Sequence, residues 1–328
     1  MTVERRQPKG LVFSPAPHIH SGESVAWINL TIIAALVPVM VFSVMGYGWH
    51  AARVMGVAVS SAVSFEWLIE KVFGKPVRVY DCSAVVTGLV FSLLLPPSVP
   101  WWLVVTGSFV SILVGRQIFG GNGGSPFNPA LVGWASVRLS WNSHIDYDLA
   151  FINYDLKFPV EYPLSVLKQS GASALGEYKG MSLFMGSQTG GIGTAAIFLL
   201  LIGGIILLAR GVINWRVPVF FIGGVALTAL VFYLSDSGKY ASPLFHILTG
   251  SVVFGAFFLA PDHSSSPVNG IAMSIFGAGC GIFTVLFRVW SIYPDGVVFA
   301  ILIMNILNPI LDYIRPKFLV KVRSEVNS

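Results

Sequence analysis

The sequence predicts an all-α polytopic membrane protein, with about ten transmembrane helices in two inverted five-helix repeats. Three observations carry that prediction. The 328 residues are 55% hydrophobic and only 11% charged, with a mean hydropathy of +0.76; a soluble domain holds about 25% charged residues. Apolar runs of about 20 residues, the length that crosses about 30 Å of hydrocarbon, recur along the chain. Short punctuation motifs recur in the same order in the two halves.

Taken in order, residues 1–26 are largely polar and read as a cytoplasmic N-terminal segment. No cleavable leader is expected, because the first apolar run is itself long enough to span. The first half, 27–140, holds runs near 27–46, 50–72, 82–97, 101–119 and 126–140. The third and fifth are short and bounded by Gly or Pro. A polar gap at 141–189 contains Ser170-Gly171-Ala172-Ser173. The second half, 190–314, holds runs near 190–209, 215–234, 242–260, 268–289 and 294–314, and 315–328 reads as a cytoplasmic tail. Each run is expected to be helical, because hydrocarbon leaves no partner for an unpaired backbone group.

Orientation follows from charge. With both termini inside, 13 of the 20 Lys and Arg residues fall in inner regions, among them Arg5, Lys71, Arg116, Arg210 and Arg315. Only Arg53, Lys239 and Arg288 fall in or beside the short outer loops, and four belong to the 141–189 segment or its edge. The positive-inside rule then makes 141–189 a periplasmic loop of an inner-membrane protein. The pI near 9.2 reflects these helix-end cations. No basic stripe with interleaved aromatics marks a nucleic-acid partner; membrane lipid is the expected surrounding.

The repeat reads from paired motifs. Arg116 followed by Asn128-Pro129 is echoed by Arg288 followed by Asn308-Pro309, and Thr87-Gly88 with Pro96-Pro97 is echoed by Thr249-Gly250 with Pro261. Five spans per half is an odd number, so the halves would be inverted, a plan that secondary transporters use with a site at the midplane.

Several residues could carry chemistry. Gly120–Ala130, "GGNGGSPFNPA", is a glycine-rich entry to a helix. Its Gly123, Gly124 and Asn128 would let backbone N–H groups approach an anion or a flat ligand. It lacks the nucleotide P-loop pattern. Asp262 and His263 form an adjacent acid–imidazole pair in the counterpart break and are candidates for ion coupling, against the plainer reading of a loop pair capping the next helix. Glu66 lies inside the second run, where a carboxylate defaults to function; the plainer account is snorkelling or pairing near Lys71. Asp81 and Asp312 read as interface residues. Cys82 and Cys280 fit no metal or cluster spacing and are expected to be buried neutral thiols. No hydrolase triad or metalloprotease pattern occurs, so no catalytic and no metal-binding residue is assigned. From physics alone "QSGASAL" is a small-residue loop, open to close approach around Ser173.

"SPAPHIHSGESV", "DCSAVVTGLVFSLLLPPSVPWW", "GGNGGSPFNPALVGWA", "SGAS" and "FGAFFLAPDHSSSPVNGIA" together resemble the RnfD/NqrB family, in order and along nearly the whole chain. Length and the short N-terminal stretch are most similar to the RnfD branch. The resemblance implies a membrane component of the Rnf ion-translocating oxidoreductase complex. It implies FMN joined by a phosphoester to the last hydroxyl of the motif, here Ser173, with Gly171 and Ala172 beside it. A flavin transferase would attach it, other Rnf subunits would be partners, and electron flow would be coupled to Na⁺ or H⁺. A second, non-covalent flavin such as riboflavin is also implied. Two departures stand out: serine replaces the usual threonine, and Thr194 stands where the family pattern has an acid at the start of the sixth run. A serine hydroxyl forms the same ester. The rival classes are a non-redox small-solute transporter or channel of inverted-repeat fold, and a scaffold; a covalent flavin separates the first reading from both.

Overall fold

The computed structural model describes residues 24–75, 77, 79–145, 147, 159 and 161–314. Nearly all of the N-terminal segment, the tail 315–328, and the charge-rule residues Arg5, Arg6, Lys9, Arg78, Lys157 and Arg315 lie outside them. Among the described residues regular structure is entirely helical, with thirteen α-helices. The first half contains α1 (Val25–Tyr47), α2 (Trp49–Val72), α3 (Ser83–Leu93), α4 (Trp101–Leu113) and α5 (Pro129–Ser140). Short helices α6 (Pro163–Ser170) and α7 (Gly180–Phe184) follow. The second half contains α8 (Ile197–Ala209), α9 (Arg216–Ser235), α10 (Pro243–Leu248), α11 (Val252–Phe254), α12 (Gly270–Trp290) and α13 (Val297–Asp312). A π-helical turn, Gly255–Leu259, continues α11. Five stretches are long and apolar enough to cross a membrane: α1, α2, Trp101–Phe119, α9 and α12. This is a multi-pass arrangement.

Helix starts follow the capping chemistry of the sequence. Ser24, Asn128, Ser242 and Asn269 each accept a backbone N–H of the first turn, and Pro129 and Pro243 occupy positions where no N–H is needed.

Three expected runs differ from the observed helices. The run at 82–97 stops at Leu93, short of Pro96-Pro97. The run at 190–209 starts only at Ile197, because residues 191–193 are spent on the end of α3. The N–H groups of Gly193 and Ile192 donate to the carbonyls of Leu93 and Leu95 at 2.8 and 2.9 Å. The Leu94 carbonyl accepts Trp134 Nε1 at 3.2 Å and the Tyr147 hydroxyl at 2.8 Å. A broken helix can end inside protein only if its orphan carbonyls find donors. Gly191 fits because a Cβ there would meet the Leu93 and Leu94 carbonyl oxygens at 2.9 Å. The run at 242–260 is interrupted at Gly250, whose φ is +69°. Cys280 is buried, as expected, but Cys82 is only partly buried and takes a left-handed φ of 58° at the start of α3.

Packing recurs between the halves. α2 runs alongside α4, with Ser108 donating to the Ala58 carbonyl and Phe65 edge-on to Phe109 at 5.1 Å. α9 runs alongside α12 through glycines: a Cβ on Gly224 would meet the Ala278 carbonyl oxygen at 2.6 Å, and one on Gly277 that of Val217 at 2.7 Å. Small residues permit this close approach between apolar helices. In the first half α3 packs on α2 and α5, and α4 on α5; in the second α10 packs on α9 and α12 on α13. Between halves, first helix meets first helix (α1 with α8) and last meets last (α5 with α13).

Candidate functional site

Arg210, at the end of α8, lies over the Trp27 ring of α1, so α9 begins at the α1 N-terminal end. It finishes beside Ala172, where Tyr233 of α9 and Ala172 line one cavity. The candidate residues therefore divide between two regions, separated by a helix of 20 residues, about 30 Å.

At the α1 end a cleft of about 260 Å³ lies between the halves. Gly123 and Ser125 from the glycine-rich loop, Thr87 and Arg116, and Asp262 and His263 all line it. A smaller connected space includes Asn128 with the same Asp262 and His263. The structure thus brings Gly123, Asn128, Asp262 and His263 together. Gly123 takes φ +88° and a Cβ there would meet nothing within 4 Å. Gly124 is not at the cleft: it packs on the Phe119 carbonyl oxygen, which a Cβ would meet at 2.6 Å. Asn128 is 5% exposed and its amide is committed to the fold. Oδ1 accepts Ala130 N–H at 3.1 Å, and Nδ2 donates to the Leu259 carbonyl at 3.0 Å, closing the end of the π turn across the halves. Asp262 likewise holds its own turn, accepting from the Ser264 and Ser265 hydroxyls and Ser265 N–H. His263 is exposed.

Glu66 belongs to a separate buried cluster. It is 1% exposed, and its Oε1 pairs with Arg116 Nη1 at 3.0 Å. The partner is Arg116 and not Lys71, which lies over the Trp67 ring. Arg116 also bonds the Ser83 hydroxyl and stands 4.0 Å from Asp81 Oδ2. Asp81 accepts Ser83 N–H at 2.9 Å and Asn122 Nδ2 at 3.3 Å. Sequence reasoning gave Asp81 no part in this cluster; its signal was the Asp-x-Ser spacing at a helix start, a local side chain-to-backbone bond.

At the other end, α6 leads into Gly171, φ +77°, and the 3₁₀ turn Ala172–Glu177. Ser173 on that turn is exposed. Lys168, in α6, donates to the carbonyls of Arg288 at 3.3 Å, Tyr293 at 3.4 Å and Ser291, all at the C-terminal end of α12. Partial burial lowers the pKa of its ammonium. Beside the turn is a cavity of about 340 Å³ lined by Ala172 and Tyr178 on one side and Tyr233 and Tyr240 on the other. An accessible hydroxyl on a surface turn, next to a space of small-molecule size, fits a flavin tethered through its phosphate. Thr194, where the family pattern has an acid, is 4% exposed and donates to the Gly191 carbonyl at 3.2 Å. Among the described residues no cluster of His, Cys, Asp and Glu has the arrangement of a metal site.

The family model described as "NQR2, RnfD, RnfE family" matches residues 12–319. A Clostridium ljungdahlii protein, described as the D component of a proton-translocating ferredoxin:NAD(+) oxidoreductase complex, is 36% identical over 91% of this chain and 92% of its own length. An Acetobacterium woodii protein, described as the D component of the Na(+)-translocating counterpart, is 34% identical over 92% of each chain. The D component of a Cellvibrio japonicus ion-translocating oxidoreductase complex is 34% identical over 91% of each. With its matched residues running through both helical halves and the Ser170–Ser173 motif, the chain belongs to the NQR2, RnfD, RnfE family.

Proposed function

We propose that this chain is the RnfD-type membrane component of an ion-translocating ferredoxin:NAD⁺ oxidoreductase complex, and that it carries electrons through FMN esterified to Ser173. The observation that carries the reading is the exposed Ser173 hydroxyl on the 3₁₀ turn, in a chain related over more than nine-tenths of its length to such components. Ser173 Oγ would supply the ester oxygen. Gly171 and Ala172 leave it open to a flavin transferase, and Lys168 fixes the segment on α12. When bound, the flavin supplies the redox chemistry, and the protein supplies position and electrostatics. The cleft between the halves is the place for a second, non-covalent flavin such as riboflavin; Gly123 would let it approach the backbone, while Asn128 shapes the wall. Asp262, His263 and Glu66 are the candidate groups for Na⁺ or H⁺ coupling.

The reading includes a bacterial inner-membrane location with about ten spans, both termini cytoplasmic and 141–189 periplasmic, with the other members of the complex and lipid around it. Opposite helix directions support the inverted plan. α4 ends just before Arg116, in the cleft that Val25 also lines, whereas α12 ends just after Arg288, against Lys168 in the segment that carries the motif. In-gel flavin fluorescence and intact mass test the attachment. The wild type is expected to carry one FMN and Ser173→Ala none; retained label in Ser173→Ala overturns the assignment. A periplasm-dependent reporter fused at residue 160 should be active and one at the C-terminus silent.

A further inference from the structure

Beside the Ser173 turn, the cavity of about 340 Å³ has two kinds of wall. One is the turn itself, through Ala172 and Tyr178. The other is the end of α9 and the loop before α10, through Tyr233 and Tyr240. We propose that this cavity seats the isoalloxazine ring of the flavin, with Tyr233 and Tyr240 as its ring-contacting residues. The inference rests on Ser173 as the attachment point and extends it from the phosphate to the ring.

Three features support the seat. First, it is preformed. Asp236 Oδ1 accepts the N–H groups of Gly238 and Lys239 at 3.0 and 3.2 Å, which fixes the loop between Tyr233 and Tyr240. The Tyr240 ring is held by Phe232 at 5.1 Å, and Phe232 by Trp290 of α12 at 6.0 Å. Second, the turn is set against that loop: a Cβ on Gly171 would meet the Gly238 carbonyl oxygen at 3.6 Å, and Lys168 pins α6 to the end of the same α12. Both walls of the cavity are therefore referred to one helix. Third, the chemistry suits a flat, electron-accepting ring. Tyrosine faces stack on such rings, and the Lys239 ammonium, 5.4 Å from the Tyr240 ring centroid, keeps a positive charge beside that wall.

The test uses the purified, membrane-extracted complex. Intact mass is read first, so that attachment is judged separately from seating. Three variants follow: the double change Tyr233→Leu with Tyr240→Leu, the conservative Tyr240→Phe, and Tyr80→Leu, an exposed tyrosine at the opposite end, as the reference. With the adduct intact, the double variant should show several-fold brighter flavin fluorescence and lower anisotropy, because the quenching phenols and the stacking faces are both gone. Tyr240→Phe should brighten the flavin while anisotropy stays at the wild-type value, because the ring face is kept. Unchanged brightness and anisotropy in the double variant would overturn the seat. An adduct-free wild type would overturn the attachment at Ser173 and the seat together.

Discussion

The two helix ends marked by Arg116 and Arg288 solve one problem with different materials. Both arginines are buried, Arg116 just past the end of α4 and Arg288 in the last turn of α12, and each sits near an aspartate that holds the serine starting a broken helix. Asp81 accepts the N–H and hydroxyl of Ser83; Asp295 accepts the N–H of Ser251 at 2.8 Å and its hydroxyl at 2.5 Å. Arg288 then spends its guanidinium mostly on backbone, donating to the carbonyls of His246 at 2.6 Å and Thr249 at 2.8 Å, with Asp295 at 3.2 Å. Arg116 faces side chains: Glu66, Ser83 and Asp81. One arginine facing one carboxylate and fixed carbonyls is a structural anchor. One arginine facing two carboxylates leaves a negative charge in excess, and Glu66 Oε2 accepts no hydrogen bond among the described residues. The lesson is that an echoed arginine, aspartate and serine form an anchor at the motif end and a pairing of one arginine with two carboxylates at the cleft end.

The largest effect is expected from removing the anchor. Arg288→Met leaves Asp295 without its cation and two carbonyls without donors, and should cost about 3–5 kcal/mol, read as a lowered unfolding midpoint of the purified protein. Arg116→Met should cost less, about 1–3 kcal/mol, because Arg116 binds side chains and its loss leaves no backbone carbonyl without a donor. Equal losses in the two variants would erase the distinction. The comparison sharpens in a double-mutant cycle: Arg116→Met with Glu66→Gln should recover about 0.5–3 kcal/mol of coupling. Glu66→Gln alone should change stability by about 1 kcal/mol yet lower the ions moved per electron transferred; an unchanged ratio would make the cluster structural like its counterpart. The smallest effects belong to the serines: Ser83→Ala and Ser251→Ala should each cost about 0.5–1.5 kcal/mol, with electron transfer retained.

Much of this was legible in the sequence. All ten apolar runs contain helix, and Asn128, Ser242 and Asn269 announced helix starts by residue type. The motif at Ser173 was readable as an accessible turn because its residues are small. What stayed hidden depends on partners distant in the chain. Glu66 seemed to belong with Lys71, five residues on, but its partner is Arg116. Lys168 was counted only as a loop charge, although it caps α12 more than 120 residues later. The echoed Thr-Gly pairs mislead in detail: Gly88 lets α3 approach the Ala58 carbonyl of α2, whereas Gly250 turns the chain beside Arg288. Sequence order displayed the echoed motifs, and only the packing shows which of them serve the same purpose.

The early end of α3 has an electrical consequence. Its 11 residues extend about 17 Å, and the 13 of α8 about 20 Å, against about 30 Å of hydrocarbon. Protein packed on a helix end insulates as lipid does, so the membrane voltage falls over a shorter path only where water enters beside it, as it would through the cleft lined by Ser83 and Thr87 at the α3 start. Carrying one charge across 100 mV involves about 2.3 kcal/mol whatever the thickness. Over 20 Å instead of 30 Å, however, the local field is about 1.5 times stronger, so a side chain or ion shifted by a few ångströms there samples a larger share of the voltage than the same shift along α1 or α9.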